Sequence, residues 1–379
     1  MTSMILEIAF RNLFHDRVRL AVTLTGIVFA VVLVTIQCGL FLGFVTTISG
    51  VVDNSRADLW VTSRGVKTFD IAMPMPESRV QQVLGVEGVA DAAGMVVDFS
   101  FWKKPDGGQE SIEIVAFEAR KGMGGPWNMI EGDVSRLDAR DAVIMDALYL
   151  EKLGVRALGE QVEIVAHGAR VMGFTLGIRS FTTSPYVFTD YRNGHLYSRF
   201  APGQVTYVLV RATPGADMET LRTRIAAQVA HVDVFTTAEF SRKTREYWML
   251  STGAGGALVL AALLGLVVGM VIVAQTLYAT TMDHLPEFAT LKAMGAPDGY
   301  VLRIIMWQAV ISAVLGYGLG MVICFGIAYL RRHGETAIMV SAPLALGMFA
   351  LTLVMCITAS VISIRKVLVI DPAIVFKGR

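Results

Sequence analysis

Residues 20–48 read LAVTLTGIVFAVVLVTIQCGLFLGFVTTI and contain no charged side chain. A helix needs about 20 apolar residues to cross the roughly 30 Å hydrocarbon core of a bilayer. The first predicted membrane helix, residues 18–48, is longer, because 31 residues rising about 1.5 Å each extend over about 46 Å. We therefore expect this helix to cross the membrane and to continue beyond it as a stalk.

A cleaved signal peptide is the competing interpretation of this run. The apolar region of a signal peptide has about 7–15 residues and is followed by small residues at a cleavage site. The run of residues 20–48 is about twice as long and continues without such a site, so we interpret it as a retained helix.

Three further apolar runs, residues 254–280, 301–329 and 344–364, lie near the other end of the chain. About two hundred residues of ordinary charge density separate the first run from the second. The predicted fold class is an α-helical membrane protein with four transmembrane helices in a 1+3 arrangement. A large periplasmic α/β domain is expected between helices 1 and 2.

The overall composition fits a membrane protein with one polar domain. Hydrophobic residues make up 54% and charged residues 17% of the chain, against roughly 45–50% and 25% in soluble domains. A net charge of +1 argues against a nucleic-acid partner, which would require a clustered basic surface. Cys38, Cys324 and Cys356 all lie in apolar runs, and the histidines lack metal-ligand spacing, so neither disulfides nor a metal site is predicted.

The distribution of basic residues predicts the topology. Positive residues favour the cytoplasmic side of a membrane. With four spans, both termini are then cytoplasmic and residues 56–250 are periplasmic; Arg331 and Arg332, in the short outer loop, disagree with this topology but are outnumbered. The basic residues that flank the first and last spans are Arg11, Arg17, Arg19, Arg365, Lys366, Lys377 and Arg379.

The predicted periplasmic domain alternates strands with short helices. Strand–helix–strand units are expected at both ends, with a β-rich insertion between them. No spacing typical of a catalytic, cofactor-binding or metal site is found in it. The predicted strands are 58–63, 95–103, 111–119, 143–145, 161–165, 170–174, 205–211 and 232–236, and the predicted helices are 77–84 and 217–230.

Glycines at four-residue spacing occur in two of the spans. Gly265 and Gly269 form one pair in the second span, and Gly316 and Gly320 form another in the third. Such pairs allow membrane helices to approach closely. They indicate helix packing, either within the chain or across a dimer.

Residues 283–297, DHLPEFATLKAMGAP, give the sharpest local signal. Pro286 suits the first turn of a helix, while Gly295 and Pro297 suit its end. A helix of two to three turns is predicted on the cytoplasmic side, either as a connector at the membrane interface or as a lever that docks a partner. Residues 4–16 are amphipathic and predict either an interfacial helix or a continuation of the first span.

These features together resemble the MacB/FtsX superfamily of ABC transporter permeases. The run HLPEFATLKAMG at residues 284–295 is most similar to the DevC subgroup, and AFRNL at residues 9–13 and IDPA at residues 370–373 also match family habits. Many members carry Arg-x-Arg/Lys-Glu before this helix. Here Asp283, His284 and Leu285 replace the basic residues, a departure that favours the DevC subgroup.

The resemblance implies a homodimer in the bacterial inner (plasma) membrane, driven by a cytoplasmic P-loop ATPase dimer and working with a periplasmic adaptor (a membrane fusion protein). It implies a non-catalytic subunit without its own cofactor, since ATP and Mg bind to the partner ATPase. The chain itself lacks the Gly-x-x-x-x-Gly-Lys-Ser/Thr phosphate-binding motif. By resemblance, the residues that couple to the ATPase are Glu287, Phe288, Leu291, Lys292, Met294 and Gly295.

The predicted function is the permease subunit of an exporter that works by mechanotransmission, with an amphiphile such as a glycolipid as substrate. One alternative is an FtsX-like signalling subunit that activates a periplasmic partner. Another is Lol-type lipoprotein extraction, for which residues 71–76 are a candidate apolar hook. The predicted segments are 1–17 (amphipathic helix), 18–55 (helix 1 and stalk), 56–250 (periplasmic domain), 251–282 (helix 2), 283–299 (coupling helix), 300–330 (helix 3), 331–343 (outer loop), 344–365 (helix 4) and 366–379 (cytoplasmic tail).

Overall fold

The computed structural model describes residues 2–283, 286–287, 289–290, 294–295, 297–332 and 334–368. These residues form two compact units. The helical unit contains the described residues among 2–42, 257–332 and 338–368, and the α/β unit contains residues 43–256 and 334–337.

Strands alternate with short helices in the middle of the chain, as the sequence predicts, and long helices lie on either side of them. The helices are α1 (Thr2–His15), α2 (Arg17–Ile48), α3 (Gly50–Asp53), α4 (Ser78–Leu84), α5 (Leu150–Leu153), α6 (Tyr191–Tyr197), α7 (Met218–Gln228), α8 (Thr237–Glu246), α9 (Ala254–Asp283), α10 (Asp298–Leu330) and α11 (Ala342–Leu368). The strands are β1 (Leu59–Ser63), β2 (Met75–Pro76), β3 (Val89–Lys103), β4 (Gln109–Phe117), β5 (Met129–Gly132), β6 (Ala142–Asp146), β7 (Gln161–Ile164), β8 (His167–Thr175), β9 (Tyr186–Asp190), β10 (Gln204–Val205), β11 (Tyr207–Ala212) and β12 (Val232–Thr236).

Four of the described helices are long and apolar enough to cross a membrane, namely α2, α9, α10 and α11. This confirms the predicted 1+3 arrangement. The amphipathic N-terminal segment forms α1. It is separate from α2 because the helical conformation is interrupted at Asp16. The side-chain oxygen of Asp16 accepts hydrogen bonds from the backbone N–H groups of Val18 and Arg19, each at 3.1 Å, and so caps the first turn of α2.

The α/β unit is built on one large sheet with the strand order β12-β1-β11-β3-β4-β9-β6-β8-β5. The 15-residue strand β3 passes through both parts of it: it pairs with β11 and β4, and its end also pairs with β7. Because β7 also pairs with β8, the strands β3, β4, β9, β6, β8 and β7 form a closed ring of pairings. The ring is closed by two residue pairs, Trp102 with Ile164 and Lys103 with Glu163.

Different hydrophobic clusters cover the two faces of the sheet. One contains Trp60, Tyr207 and Phe240. Another joins the apolar faces of α4 and α7 to β1, β11 and β12. A third contains Trp102 and Tyr149 and belongs to the closed ring. The core of the α/β unit therefore consists of three hydrophobic clusters packed on the strands of one sheet.

The predicted β-rich insertion differs from the structure in one respect. Its strands join the same sheet as the flanking strand–helix–strand units, through the parallel pairing of β4 with β9. β9 is a central strand that the sequence pattern did not predict. The predicted strand 232–236 coincides with β12, and the predicted helix 217–230 contains α7.

Candidate functional site

The connector, residues 283–297, carries the helix that its proline and glycine residues predict. Pro286, Glu287, Ala289 and Thr290 are helical, and the Thr290 hydroxyl donates a hydrogen bond to the Pro286 carbonyl at 2.8 Å. The backbone N–H of Met294 donates to the Thr290 carbonyl at 3.0 Å. Gly295 then adopts a φ of +92°, the left-handed conformation that commonly ends a helix.

The described side chains of the connector divide into two faces. Ala289 is buried, whereas Glu287 and Thr290 are exposed. Met294 is 73% exposed. Of the six residues predicted to couple to an ATPase, Glu287, Met294 and Gly295 are exposed. The other three, Phe288, Leu291 and Lys292, lie outside the described residues.

Polar contacts attach the connector to the N-terminal segment. The Asn12 side-chain amide donates to a Glu287 carboxylate oxygen at 3.5 Å. Arg19 lies 3.5 Å from the Asp283 carboxylate and 2.9 Å from that of Asp16. These partners are far apart along the chain, so no local sequence pattern predicts their contacts. A displacement of the connector would therefore also act on α1 and on the start of α2.

The predicted packing glycines all lie against α2 within the helical unit. An added Cβ at Gly265 would lie 2.2 Å from the Leu33 side chain, and one at Gly269 would lie 2.9 Å from Ala30. The two glycines on α10 lie equally close to α2. An added Cβ at Gly316 would lie 2.5 Å from the Ile27 side chain, and one at Gly320 would lie 2.8 Å from the Val31 side chain. Glycine is needed at these positions because only a residue without Cβ lets α9 and α10 pack so closely against α2.

Two buried carboxyl groups in the α/β unit were not predicted as a pair. Asp70 accepts a hydrogen bond from the Trp248 indole N–H at 2.9 Å, and burial raises the pKa of Asp70 to about 6. Glu113 lies on β4 beside Tyr186 of β9, and its carboxylate oxygens are buried without a hydrogen-bond partner among the described residues. Burial, with the Asp70 charge next, holds the pKa of Glu113 well above its usual range.

No group of three or more His, Cys, Asp or Glu residues is placed to hold a metal ion in the part of the chain that the structure describes. Asp138 and Asp146, two acidic residues of the insertion, instead have structural partners. Asp138 pairs with Arg120 at 3.2 Å. Asp146 accepts hydrogen bonds from the Thr175 hydroxyl at 2.8 Å and from the Ile178 backbone N–H at 2.6 Å.

Comparison with known protein families yields two adjoining matches. Residues 20–228 match the MacB-like periplasmic core domain, and residues 259–372 match the FtsX-like permease C-terminal domain. Together the matches extend over both units described above.

The chain is also similar over its whole length to proteins described as uncharacterized ABC transporter permeases. Those of Mycobacterium bovis and Mycobacterium tuberculosis are 27% identical over 364 residues, which is 96% of this chain and 96% of theirs. A second protein of Mycobacterium tuberculosis is 25% identical over 375 residues, 98% of this chain and 99% of its own.

Two solved structures are similar to about half of the chain. The periplasmic region of MacB from Actinobacillus actinomycetemcomitans aligns with a TM-score of 0.38 and 8% identity, over 50% of this chain and 92% of that one. The extracellular domain of the ABC-type transporter YknZ from Gram-positive bacteria aligns with a TM-score of 0.35 and 13% identity, over 47% of this chain and 98% of that one.

Proposed function

Because the chain belongs to the MacB/FtsX superfamily of ABC transporter permeases, we propose that it is the membrane subunit of a bacterial exporter driven by a separate ATPase. In this proposal two copies of the chain form a homodimer in the inner membrane, and a periplasmic adaptor binds the α/β unit. Both termini and the connector are cytoplasmic, as the excess of basic residues near the terminal spans suggests.

The observation that carries the proposal is the exposed face of the connector. Glu287 and Met294 offer one acidic and one large apolar side chain to a partner, on a short helix between two spans. The sequence has no phosphate-binding motif of its own, so a P-loop ATPase must be supplied by another chain. ATP and Mg would be bound there.

The proposed mechanism is mechanotransmission. ATP-driven closure of the ATPase subunits would displace the connector, and the contacts of Glu287 with Asn12 and of Asp283 with Arg19 would pass this displacement to α1 and α2. The 32-residue α2 supports this mechanism, because a continuous helix transmits displacement better than a loop does. The similarity of the connector to the DevC subgroup favours an amphiphilic substrate such as a glycolipid.

Lipoprotein extraction is a second candidate, and one observation favours it. Ile71 and Met73 are 50% and 47% exposed in the loop that precedes β2, although Ala72 between them is buried. Two exposed apolar side chains on one loop could contact a lipid chain. The same experiment separates this candidate from the exporter.

The test is affinity purification of the tagged full-length chain in a mild detergent, with the co-purifying proteins identified by mass spectrometry. The exporter proposal predicts a P-loop ATPase in near-equal amount together with a single-span adaptor. An ATPase with a lipoprotein would favour extraction, and an ATPase with a periplasmic hydrolase would favour signalling. A folded chain without any ATPase would contradict all three.

A double substitution in the connector can be tested in the same experiment. Glu287→Ala with Leu291→Ala should reduce the recovered ATPase and uncouple ATP hydrolysis from transport, because it removes the acidic and apolar contacts proposed for the connector. The matched control is Leu330→Ala with Arg331→Ala, which changes an exposed leucine and an exposed charge at the other end of α10. Equal recovery of the ATPase with both variants would contradict the assignment of the connector.

A further inference from the structure

Residues 334–337, between α10 and α11, belong to the α/β unit and are held there by polar contacts. The Lys152 ammonium lies 2.9 Å from a Glu335 carboxylate oxygen and also donates to the Thr183 carbonyl at 2.7 Å. The Arg179 guanidinium donates to the Gly334 carbonyl at 3.0 Å. Residues 334–337 are therefore attached to one loop, residues 179–183, which we call the junction loop.

The same junction loop contacts the end of α2 and the segment before α9. The Phe181 ring lies edge-on to Phe44 with a centroid distance of 5.8 Å. On another side it contacts the Trp248 ring at 4.5 Å. Trp248 is fixed in turn, because its indole N–H donates to both the Thr68 hydroxyl and the Asp70 carboxylate at 2.9 Å.

A close backbone approach completes the arrangement. An added Cβ at Gly43, in α2, would lie 2.0 Å from the Ala337 carbonyl oxygen and 2.8 Å from its carbonyl carbon. A side chain at position 43 would collide with backbone, which cannot rotate away as a flexible side chain can. The end of α2 and residues 334–337 are thus in direct contact, as well as being linked through the junction loop.

We infer that the junction loop is a mechanical node at which the chain segments leading to all four spanning helices are held together. Residues 43–48 belong to α2, residues 247–251 precede α9, and residues 334–337 connect α10 to α11. A movement of the α/β unit would then displace α10 and α11 together with α2 and α9. This deepens the mechanotransmission proposed above, and its second test rests on that proposal.

The π-helical turn Tyr247–Ser251 fits such a node. Turns of this kind interrupt the regular hydrogen-bond ladder of a helix and occur frequently at functional sites. Here the turn carries Trp248, the side chain that contacts Phe181. The helix that leads towards α9 can therefore bend at the residue that the junction loop holds.

The first test measures whether the three attachments act as one, in the full-length chain in lipid nanodiscs. Amide hydrogen exchange is followed at residues 44–48, 247–251 and 334–337 in Glu335→Gln, Phe181→Ala and Gly43→Ala. For a node, each variant raises exchange in all three segments by about 3-fold or more, because local openings are then cooperative. Increases confined to the segment nearest each substitution would overturn the inference.

The control for this test is Gly326→Ala. It makes the same change in α10 at a position where an added Cβ meets nothing within 4 Å. Exchange in the three segments should stay at the wild-type rate. If Gly326→Ala raises exchange as much as Gly43→Ala does, the result reflects general loosening of the chain and the inference fails.

The second test asks whether the node moves during transport, in the complex with its ATPase. Lys152→Cys with Glu335→Cys, joined by a short bifunctional thiol reagent, fixes residues 334–337 to the α/β unit; each single variant controls for reaction at the native cysteines. If the three attachments move as one body, the contact between positions 152 and 335 stays closed during transport. Joining the two cysteines should then leave ATP turnover unchanged. Loss of turnover only in the joined pair would show that the attachment must open, which overturns the node as a permanent link. Failure to find any ATPase would contradict the proposed function and leave the exchange test to decide the node.

Discussion

The α/β unit and the helical unit are packed with different side chains. The ten largest fully buried side chains, among them Trp60, Trp102 and Tyr207, all belong to the α/β unit. In the helical unit, glycines such as Gly269 and Gly316 pack directly against side chains of α2. The difference follows from the solvent. Burying a large aromatic side chain is favourable in water, whereas membrane helices gain little by moving apolar groups away from lipid and associate through close backbone packing.

The first prediction removes the largest side chain from the aromatic core. Trp60 is completely buried, and its ring lies 5.4 Å from Tyr207 and 5.3 Å from Phe240. Trp60→Ala should lower the free energy of unfolding of the α/β unit by about 3–5 kcal/mol, because it leaves a cavity that its neighbours fill only in part. Pulse proteolysis of the full-length chain in urea and detergent measures this change.

Trp60→Phe provides the comparison for that variant. It keeps an aromatic ring, and the indole N–H that it removes has no hydrogen-bond partner among the described residues. Its cost should therefore be about 1–2 kcal/mol, the loss expected when a core side chain is replaced by a smaller ring. If the two variants were equally stable, aromatic packing would not be what holds this unit together.

The second prediction concerns a buried charge, which the α/β core contains beside its aromatic groups. The pKa of Asp70 is raised from its ordinary value to about 6, chiefly because burial disfavours the carboxylate. The folded state therefore binds a proton more readily than the unfolded state does. Protonation of Asp70 therefore contributes up to about 3 kcal/mol to the free energy of unfolding. This contribution is fully present below pH of about 4 and is lost as the pH rises through about 6.

Asp70→Asn should abolish this pH dependence, because the amide cannot ionise but can still accept the hydrogen bond from Trp248. The measurement is the midpoint of urea unfolding of the full-length chain between pH 4 and pH 7. Asp106→Asn, in the exposed turn between β3 and β4, is the matched control and should retain the wild-type profile. A wild-type profile in Asp70→Asn would assign the pH dependence to other groups.

The two units also differ in how much of them the sequence predicts. The four spans depend on a single property, the length of an apolar run, and the structure places a helix over each of them. The central strand β9, with the sequence YVFTD, was missed because all five residues are buried. Such a strand shows no alternation of polar and apolar residues, which is the signal by which strands are recognised.

The candidate site was also predicted only in part from the sequence. Pro286 and Gly295 predict a helix in the connector, because they act on the local backbone. The contact of Asn12 with Glu287 and that of Lys152 with Glu335 join residues separated by 275 and 183 positions. A single sequence contains no local signal for such pairs, because the fold alone brings them together.

The third prediction tests the helical side of the comparison with two glycines of the same helix. Gly316→Ala should destabilise the helical unit by about 1–3 kcal/mol, because the new methyl group overlaps Ile27, whose β-branched side chain cannot easily rotate away. Gly318→Ala adds the same methyl group two residues later, where nothing lies within 4 Å. It should leave the stability unchanged or raise it by up to about 1 kcal/mol, since alanine favours a helix over glycine.

Thermal unfolding of both variants in lipid nanodiscs measures this difference directly. Both substitutions add one methyl group, which is buried at position 316 and exposed at position 318. Burial of the methyl group would stabilise Gly316→Ala, whereas its overlap with Ile27 would destabilise it, so the two effects have opposite signs. A lower unfolding temperature for Gly316→Ala alone would therefore show that close approach to α2, rather than burial of apolar area, holds these helices together. Equal unfolding temperatures would mean that α2 and α10 can separate by the width of a methyl group at no cost, and the contrast between the two units would then not extend to their energetics.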